Sequence, residues 1–166
     1  LQYNNTVRDL LNNNSNPSDS FPADFTGRFS NDAKVLNLSN EYVSAYYDAS
    51  TELANQAVQA GSSVLGCNPA DQSCLDNVLD NFATKAWRRP LTNDEKTQLR
   101  TVYNNANSTA NSTTTAMTTM LRALLLSPNF IFRPEIDSDL NSSQAQNLNA
   151  YELATRLSYF LWASTP

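Results

Sequence analysis

The sequence has no histidine and only two cysteines. Histidine is the side chain whose ordinary pKa lies nearest neutral pH, so its absence removes the usual general base and every Ser-His or Cys-His catalytic arrangement. Two thiols are too few ligands for a zinc site, and no Cys-x-x-Cys-His run is present for haem attachment. We therefore expect no metal site, no cofactor and no nucleophilic hydrolysis in this chain.

Positive charge and long apolar runs are also scarce. Eleven Lys and Arg stand against 16 Asp and Glu, for a net charge of -5, and no basic run occurs. Counterion release could not drive strong binding to nucleic acid with so few cations. Apolar stretches such as Ala123 to Leu126 are far shorter than the roughly 20 residues that cross a bilayer, so we expect no membrane span.

What the sequence does contain is six segments with helical spacing of apolar residues. Three of them carry clear N-terminal caps: Ser39, Thr92 in a capping box with Glu95, and Asn149 in a capping box with Glu152. The predicted inward faces of the six helices, in chain order, are Tyr3, Val7, Leu10 and Leu11; Tyr42, Val43, Tyr46, Tyr47, Leu53, Ala54, Ala57 and Val58; Leu75, Val78, Leu79, Phe82 and Ala86; Leu99, Val102 and Tyr103; Met117, Met120, Leu121, Leu124 and Leu125; and Leu153, Leu157, Phe160 and Leu161. Gly61 is predicted to end the second helix, and the fifth is predicted to end near Pro128. The third is predicted to begin at Asp71 and to end at Arg88, Arg89 and Pro90.

The connecting segments differ in character. Residues 15–38 lack a sustained period but carry Phe21, Phe25 and Phe29, which predicts a long aromatic loop that either covers the core or has a function. Residues 104–115 are predicted to be a polar linker, and residues 129–134 the one extended segment. The fold class is therefore all-α: an irregular bundle of about six helices in one domain over residues 1–166, with one long aromatic loop and at most one short extended segment.

The two cysteines, Cys67 and Cys74, are separated by six residues. We interpret them as a disulfide that ties a loop to the third helix, the alternative being two buried free thiols. A disulfide implies an oxidising compartment, so the predicted location is periplasmic or extracellular.

Four strings resemble a known family. The run from Tyr3 to Leu11, followed by Phe21-Pro22-Ala23-Asp24, is similar to the first module of the planctomycete-type cytochrome-c-associated proteins of unknown function. Ala86-Trp87-Arg88-Arg89-Pro90-Leu91-Thr92 resembles their second module, and the runs Leu124 to Arg133 and Tyr151 to Trp162 resemble the start of their third.

The resemblance implies three helical modules, at residues 1–60, 61–110 and 111–166, in a piece of a large exported bacterial protein. It further implies an association with c-type cytochrome domains, without an established activity for the modules themselves. The chain departs from the full family pattern by ending just inside the third module and by lacking a haem-attachment run, so haem binding is assigned to none of its residues.

Arg8, Arg88 and Arg89 lie inside these strings and are candidates for a structural clamp on a carboxylate of the long loop, such as Asp24. Ligand binding by the same arginines is the alternative. Asp24 and Asp32 are the pair to consider for carboxylate-based glycoside chemistry, although most such side chains are solvated or pair locally. The run from Asp137 to Asn141 imitates half a calcium loop, but Ser142 and Leu148 stand where that loop needs Gly and Glu.

The leading hypothesis is a non-catalytic structural or docking module of an exported multi-domain protein. Its partner would be the remainder of its own polypeptide, with a c-type cytochrome domain as the candidate. One alternative is a site for an extracellular polymer such as a carbohydrate, formed by the aromatic loop and by Tyr42, Tyr46 and Tyr47. Another is a subunit of an extracellular assembly, because the apolar final helix needs cover.

Overall fold

The computed structural model describes residues 1–23, 39–135 and 147–166. Within these ranges the chain is all-α, as predicted, and has no strand. The helices are α1 (Gln2–Leu11), α2 (Asn40–Ala60), α3 (Ser62–Leu65), α4 (Cys74–Asn77), α5 (Ala83–Trp87), α6 (Asn93–Ala110), α7 (Thr113–Leu126), α8 (Pro128–Ile131) and α9 (Ala150–Trp162), with a 3₁₀ turn at Pro17–Ser20 and a π turn at Val78–Phe82.

Helix α7 is the centre of the core. It packs against α2 on one side and α6 on the other. Its inward residues Met117, Met120, Leu121 and Leu124 have no solvent exposure. Burial of a side chain of this size stabilises the fold by roughly 1.5–3 kcal/mol, so α7 contributes more than any polar contact described below.

The third predicted helix is a composite. Helix α4 begins at Cys74, three residues later than predicted, and continues without a break through the π turn into α5. In the π turn the Ala83 backbone N–H donates to the Val78 carbonyl, five residues earlier. Such wide turns are rare and are frequent at functional sites.

The predicted caps are confirmed. The Ser39 hydroxyl accepts from the Tyr42 N–H at the start of α2, and both predicted capping boxes, Thr92 with Glu95 and Asn149 with Glu152, form at α6 and α9. Each cap satisfies helix N–H groups that have no partner within the helix, which is why these starts can be read from sequence alone.

Two predicted connections are wrong. The polar tract at residues 104–115 is not a linker, because α6 continues through Ala110 and only Asn111, with φ 48°, and the cap Ser112 separate it from α7. Packing of α6 along α7 outweighs the low helix propensity of the Asn, Ser and Thr residues.

The predicted extended segment at residues 129–134 begins with a helix. Ser127 caps α8 by accepting from the Asn129 N–H at 3.2 Å, and Pro128 occupies the first helical position. This turn buries Phe130, and the backbone becomes extended only at Phe132. A proline at the first position of a helix is favourable because its missing N–H would have no partner there.

Candidate functional site: an arginine junction and an inverted helix

Arg88 connects the end of α5 to the segment around α8. Its Nη1 donates to the carbonyl oxygens of Ala86 (3.2 Å) and Phe130 (3.3 Å), and its Nη2 to those of Asn129 and Phe132, both at 2.6 Å. The residue is only 7% exposed. One guanidinium thus satisfies three carbonyls at the end of α8 and one at the end of α5, acceptors that would otherwise be left unpaired.

The backbone of Arg88 is itself unusual. It caps α5 in the left-handed conformation, with φ 59° and ψ 18°, a place where glycine is the common residue. Burial lowers the pKa of the guanidinium, although arginine stays charged at neutral pH. The Tyr159 ring of α9 lies 5.9 Å from the Arg88 guanidinium carbon and 4.5 Å from that of Arg133. The positive charge is therefore held by carbonyl dipoles and an aromatic face, with no carboxylate partner among the described residues.

Arg89 makes a different contact. Its two terminal nitrogens hold the two oxygens of Glu95 at 2.8 and 2.7 Å, and Glu95 also accepts from the Thr92 N–H at 2.8 Å. The hydrogen bonds from Arg89 are the main reason that the pKa of Glu95 falls to about 2. This bidentate pair extends the capping box of α6 and joins that helix to the end of α5.

The Glu95 pair predicts a pH-dependent stability. Because the pKa of Glu95 is about 2 when folded and ordinarily 4.5, its contribution is complete above pH 4.5 and is lost as the pH falls toward 2. We expect Glu95→Gln to lower the free energy of unfolding by about 1.5–3 kcal/mol at pH 7, and the gap to wild type to close between those two pH values. Urea unfolding across this pH range is the measurement. Asp80→Asn, which removes the more exposed pair with Lys96, is the control and should cost well under about 1 kcal/mol throughout.

Arg8, a further clamp candidate, does not lie at this junction. Arg8 lies on the exposed side of α1 and pairs with its neighbour Asp9 at 2.9 Å. Asp24, its proposed carboxylate partner, and Asp32 lie outside the described residues, as does the calcium-like run from Asp137. The structure therefore places Arg88 and Arg89 together, while the clamp on Asp24 stays a prediction.

The disulfide predicted between Cys67 and Cys74 is present. Cys74 is 1% exposed and is the first residue of α4. The bond fixes the turn after α3 to the start of the composite helix. It is compatible with an exported protein.

Helix α9 is amphipathic, but its polar face is buried and its apolar face is exposed. The residues that it buries are polar or carry a hydroxyl, namely Thr155, Ser158 and Tyr159. The inward face predicted for this helix is wrong, because its large apolar residues face outward: Leu153 (48% exposed), Leu157 (49%), Phe160 (83%), Leu161 (58%) and Trp162 (69%). Residues 153, 157, 160 and 161 follow the i, i+4, i+7, i+8 spacing and so form one stripe, which we call the α9 stripe.

Hydrogen bonds attach α9 to α1. The Tyr159 hydroxyl and the Thr6 hydroxyl lie 2.7 Å apart in a buried pair. The Ser158 hydroxyl donates to the Ser164 carbonyl at 2.7 Å, and the Ser164 hydroxyl donates to Asp9 of α1. These bonds fix the rotation of α9 about its axis and keep the stripe on the outer side.

The aromatic residues proposed for polymer binding pack mainly on one another. The Phe21 ring lies 5.1 Å from Tyr3 and 4.7 Å from Tyr46, and Tyr3 also contacts Phe130. The Tyr42 hydroxyl donates to the Pro22 carbonyl at 3.1 Å. Phe21, in the described part of the loop, thus packs against other aromatic rings and is partly buried. Residues 24–38 lie outside the described residues.

The N-terminal half of α2 is less buried than predicted. Val43 is 52% exposed and Tyr47 is 46% exposed, and the core face begins only at Ala49. The Tyr47 ring lies 5.3 Å from the Arg122 guanidinium of α7, so this part of α2 makes a surface contact and not a core one.

We also considered metal binding and membrane crossing. In the described ranges, no three side chains of Asp, Glu and Cys come together in a way that could hold a metal ion. None of the helices found there has both the length and the hydropathy of a bilayer-crossing segment.

Two family models match parts of the chain. Residues 1–59 match the model described as PSD3, protein of unknown function (DUF1587), and residues 74–135 match the model described as PSD5, protein of unknown function (DUF1595). No curated protein and no solved structure matches the chain. The second match begins at Cys74 and contains Arg88, Arg89 and the whole of α8, so the arginine junction lies inside one matched region.

Proposed function

We propose that this chain, similar over residues 1–59 and 74–135 to two families of unknown function, is a non-catalytic docking module of an exported multi-domain protein. The partner that we propose for it is a c-type cytochrome domain of the same polypeptide. The observation that carries the proposal is the α9 stripe, in which a helix turns its polar face to its own domain and its apolar face to solvent.

The exposure of the α9 stripe to water is unfavourable in free energy unless a partner covers it. The members of the stripe, Phe160, Leu161, Leu157 and Leu153, are 83%, 58%, 49% and 48% exposed. Covering a large apolar side chain is worth roughly 1.5–3 kcal/mol, and contiguous exposed apolar surface of this kind marks interaction sites. Aromatic residues at the centre of such a patch are the ones that usually dominate binding energy.

The rest of the molecule suits a support more than a catalyst. Helix α9 is held in one orientation by the Thr6–Tyr159 and Asp9–Ser164 hydrogen bonds to α1, so a partner would meet a preformed surface. Preformed surfaces lose less conformational entropy on binding. The strongest polar contacts, those of Arg88 and Arg89, are used to join helices.

Two observations support the choice of partner. The resemblance of four strings to modules that accompany c-type cytochrome domains supplies the partner class. The Cys67–Cys74 disulfide favours the oxidising compartment outside the cytoplasm.

Photo-crosslinking from the stripe tests this proposal. A benzoylphenylalanine at Phe160 alters the structure little, because that side chain is 83% exposed, and irradiation of the natural full-length protein in its own cells would capture whatever covers it. The expected product is a crosslink to a haem-bearing peptide. The control is the same photoreactive residue at Gln98, on the exposed side of α6, which should give no such product.

Two results would contradict the proposal. Crosslinks from position 160 that do not exceed those from position 98 would mean that the stripe has no partner. Crosslinks only to a second copy of this chain would replace the cytochrome partner by self-assembly, and the molecular mass of the purified protein would then report the oligomer.

A further inference from the structure

A cleft of about 590 Å³ lies beside the C-terminal end of α1. It is formed by the end of α1, by α3 and the turn after it, by the composite helix α4 to α5, and by residues 165 and 166. Its polar lining comes from Asp9, Asn77, Asn81 and Lys85, and its apolar part includes Leu65 and Phe82. Clefts of 300–1,000 Å³ are the usual size for a small-molecule site.

The π turn organises the lining. Asn77, Asn81 and Lys85 are spaced by four residues, and in a regular α-helix such side chains drift by about 40° at each step. Because the π turn closes on a bond from the Ala83 N–H to the Val78 carbonyl, it holds more residues than an α turn and offsets part of this drift. All three residues consequently line the same cleft, although they span more than two turns.

The hydrogen-bonding capacity of these groups is only partly used. The Asn81 amide nitrogen donates to the Asn77 oxygen at 2.8 Å, and the Asn77 amide nitrogen donates to the Gly66 carbonyl at 3.4 Å. The Asn81 side-chain oxygen and the Lys85 ammonium have no partner among the described residues. Lys85 therefore offers donors and the Asn81 oxygen offers an acceptor in the lining of one cleft, whereas the Asp9 oxygens already accept from Arg8 and Ser164.

We propose that this cleft binds a neutral saccharide unit. A hydroxyl group both donates and accepts, so a hydroxyl-bearing ring can use Lys85 and Asn81 together. The opposite charges of Lys85 and Asp9 favour a ligand without net charge over an acidic one. The partly exposed apolar side chains of Leu10 and Val64, which also line the cleft, suit the C–H faces of a sugar ring. The inference concerns a surface separate from the α9 stripe and does not depend on the docking role.

The test is a two-dimensional NMR titration that follows the side-chain amide signals of Asn77 and Asn81. The probes are cellobiose, maltose, lactose and xylobiose as neutral disaccharides, digalacturonate as an acidic one, and inorganic phosphate. We expect saturable shifts with at least one neutral disaccharide, with a dissociation constant of about 1 mM or tighter. Asn81→Ala should weaken that binding about five-fold, the usual effect of losing one hydrogen bond.

Asn104→Ala, on the exposed side of α6, is the matched control and should leave the affinity unchanged. Lys85→Met should weaken binding of the neutral sugar as Asn81→Ala does. The proposal is overturned if none of the four neutral disaccharides shifts these signals, or if Asn81→Ala and Asn104→Ala bind alike. It is also overturned if digalacturonate or phosphate binds more tightly than every neutral probe, since the site would then be an anion site.

Discussion

Replacing Arg88 with methionine is expected to lower the free energy of unfolding by about 3–5 kcal/mol, the largest effect of any single polar substitution in the described chain. Methionine keeps much of the apolar stem but leaves four carbonyl oxygens, at Ala86, Asn129, Phe130 and Phe132, without their donor. Arg88 is 7% exposed, so water has little access to replace the lost bonds. Urea unfolding followed by circular dichroism measures the change.

A second pair of variants separates the side chain from the backbone. Arg88→Ala and Arg88→Gly lose the same hydrogen bonds, but glycine adopts φ 59° without the penalty that other residues pay there. We expect Arg88→Gly to be more stable than Arg88→Ala by about 1 kcal/mol. Arg88→Lys should recover little, because one ammonium cannot reach carbonyls on both sides of the planar fork. Full stability of Arg88→Lys would show that charge, and not geometry, holds the junction.

Removing the disulfide is expected to have the second largest effect. The free energy of unfolding of the double variant Cys67→Ser/Cys74→Ser should be lower by about 2–3 kcal/mol. The reason is that the bond, across a separation of 7 residues, reduces the conformational entropy of the unfolded chain. Reduction of the wild type with dithiothreitol should shift its unfolding midpoint to that of the double variant.

The double variant is also the control for the reductant. Dithiothreitol should leave its midpoint unchanged, because Cys67 and Cys74 are the only cysteines of the chain. A reduced wild type that unfolds at the same urea concentration as the oxidised protein would contradict the expected contribution. It would mean that packing around Cys74 already holds the start of α4.

Sequence alone predicted the features that are set by local chemistry. The starts of α6 and α9 are fixed by side chains three residues apart, Thr92 with Glu95 and Asn149 with Glu152, so the capping boxes could be recognised without the fold. The core face of α7 was predictable for the same reason, since its spacing of Met and Leu admits one buried face.

The predictions from sequence fail where contacts between residues far apart in the chain determine the structure. Helix α6 extends through its Asn- and Ser-rich end because α7 lies alongside it, a contact that no local pattern contains. The partners of Arg88 could not be predicted either, because they are backbone carbonyls some 40 residues away and carry no sequence signal of their own. The π turn likewise leaves the apolar spacing of Val78, Leu79 and Phe82 compatible with an ordinary helix.

The candidate sites divide in the same way. The arginines were identified from strings that resemble a family, but only the structure shows that Arg89 clamps a capping glutamate. For the final helix the sequence showed an apolar face in need of cover. It could not show that Thr155, Ser158 and Tyr159 would be the residues turned inward.

The hydrogen-bonded attachment of α9 separates it from the oily interior of the domain. Within the described ranges the core cluster takes its members from α1 to α8 and includes no residue of α9. Lifting the helix away would break a few side-chain bonds, such as Thr6 with Tyr159, yet open no cavity among the methionines and leucines of α7. Helix α9 is thus attached to the domain by polar side-chain contacts and not by a share in the apolar core, so its local stability is set separately from that of α7.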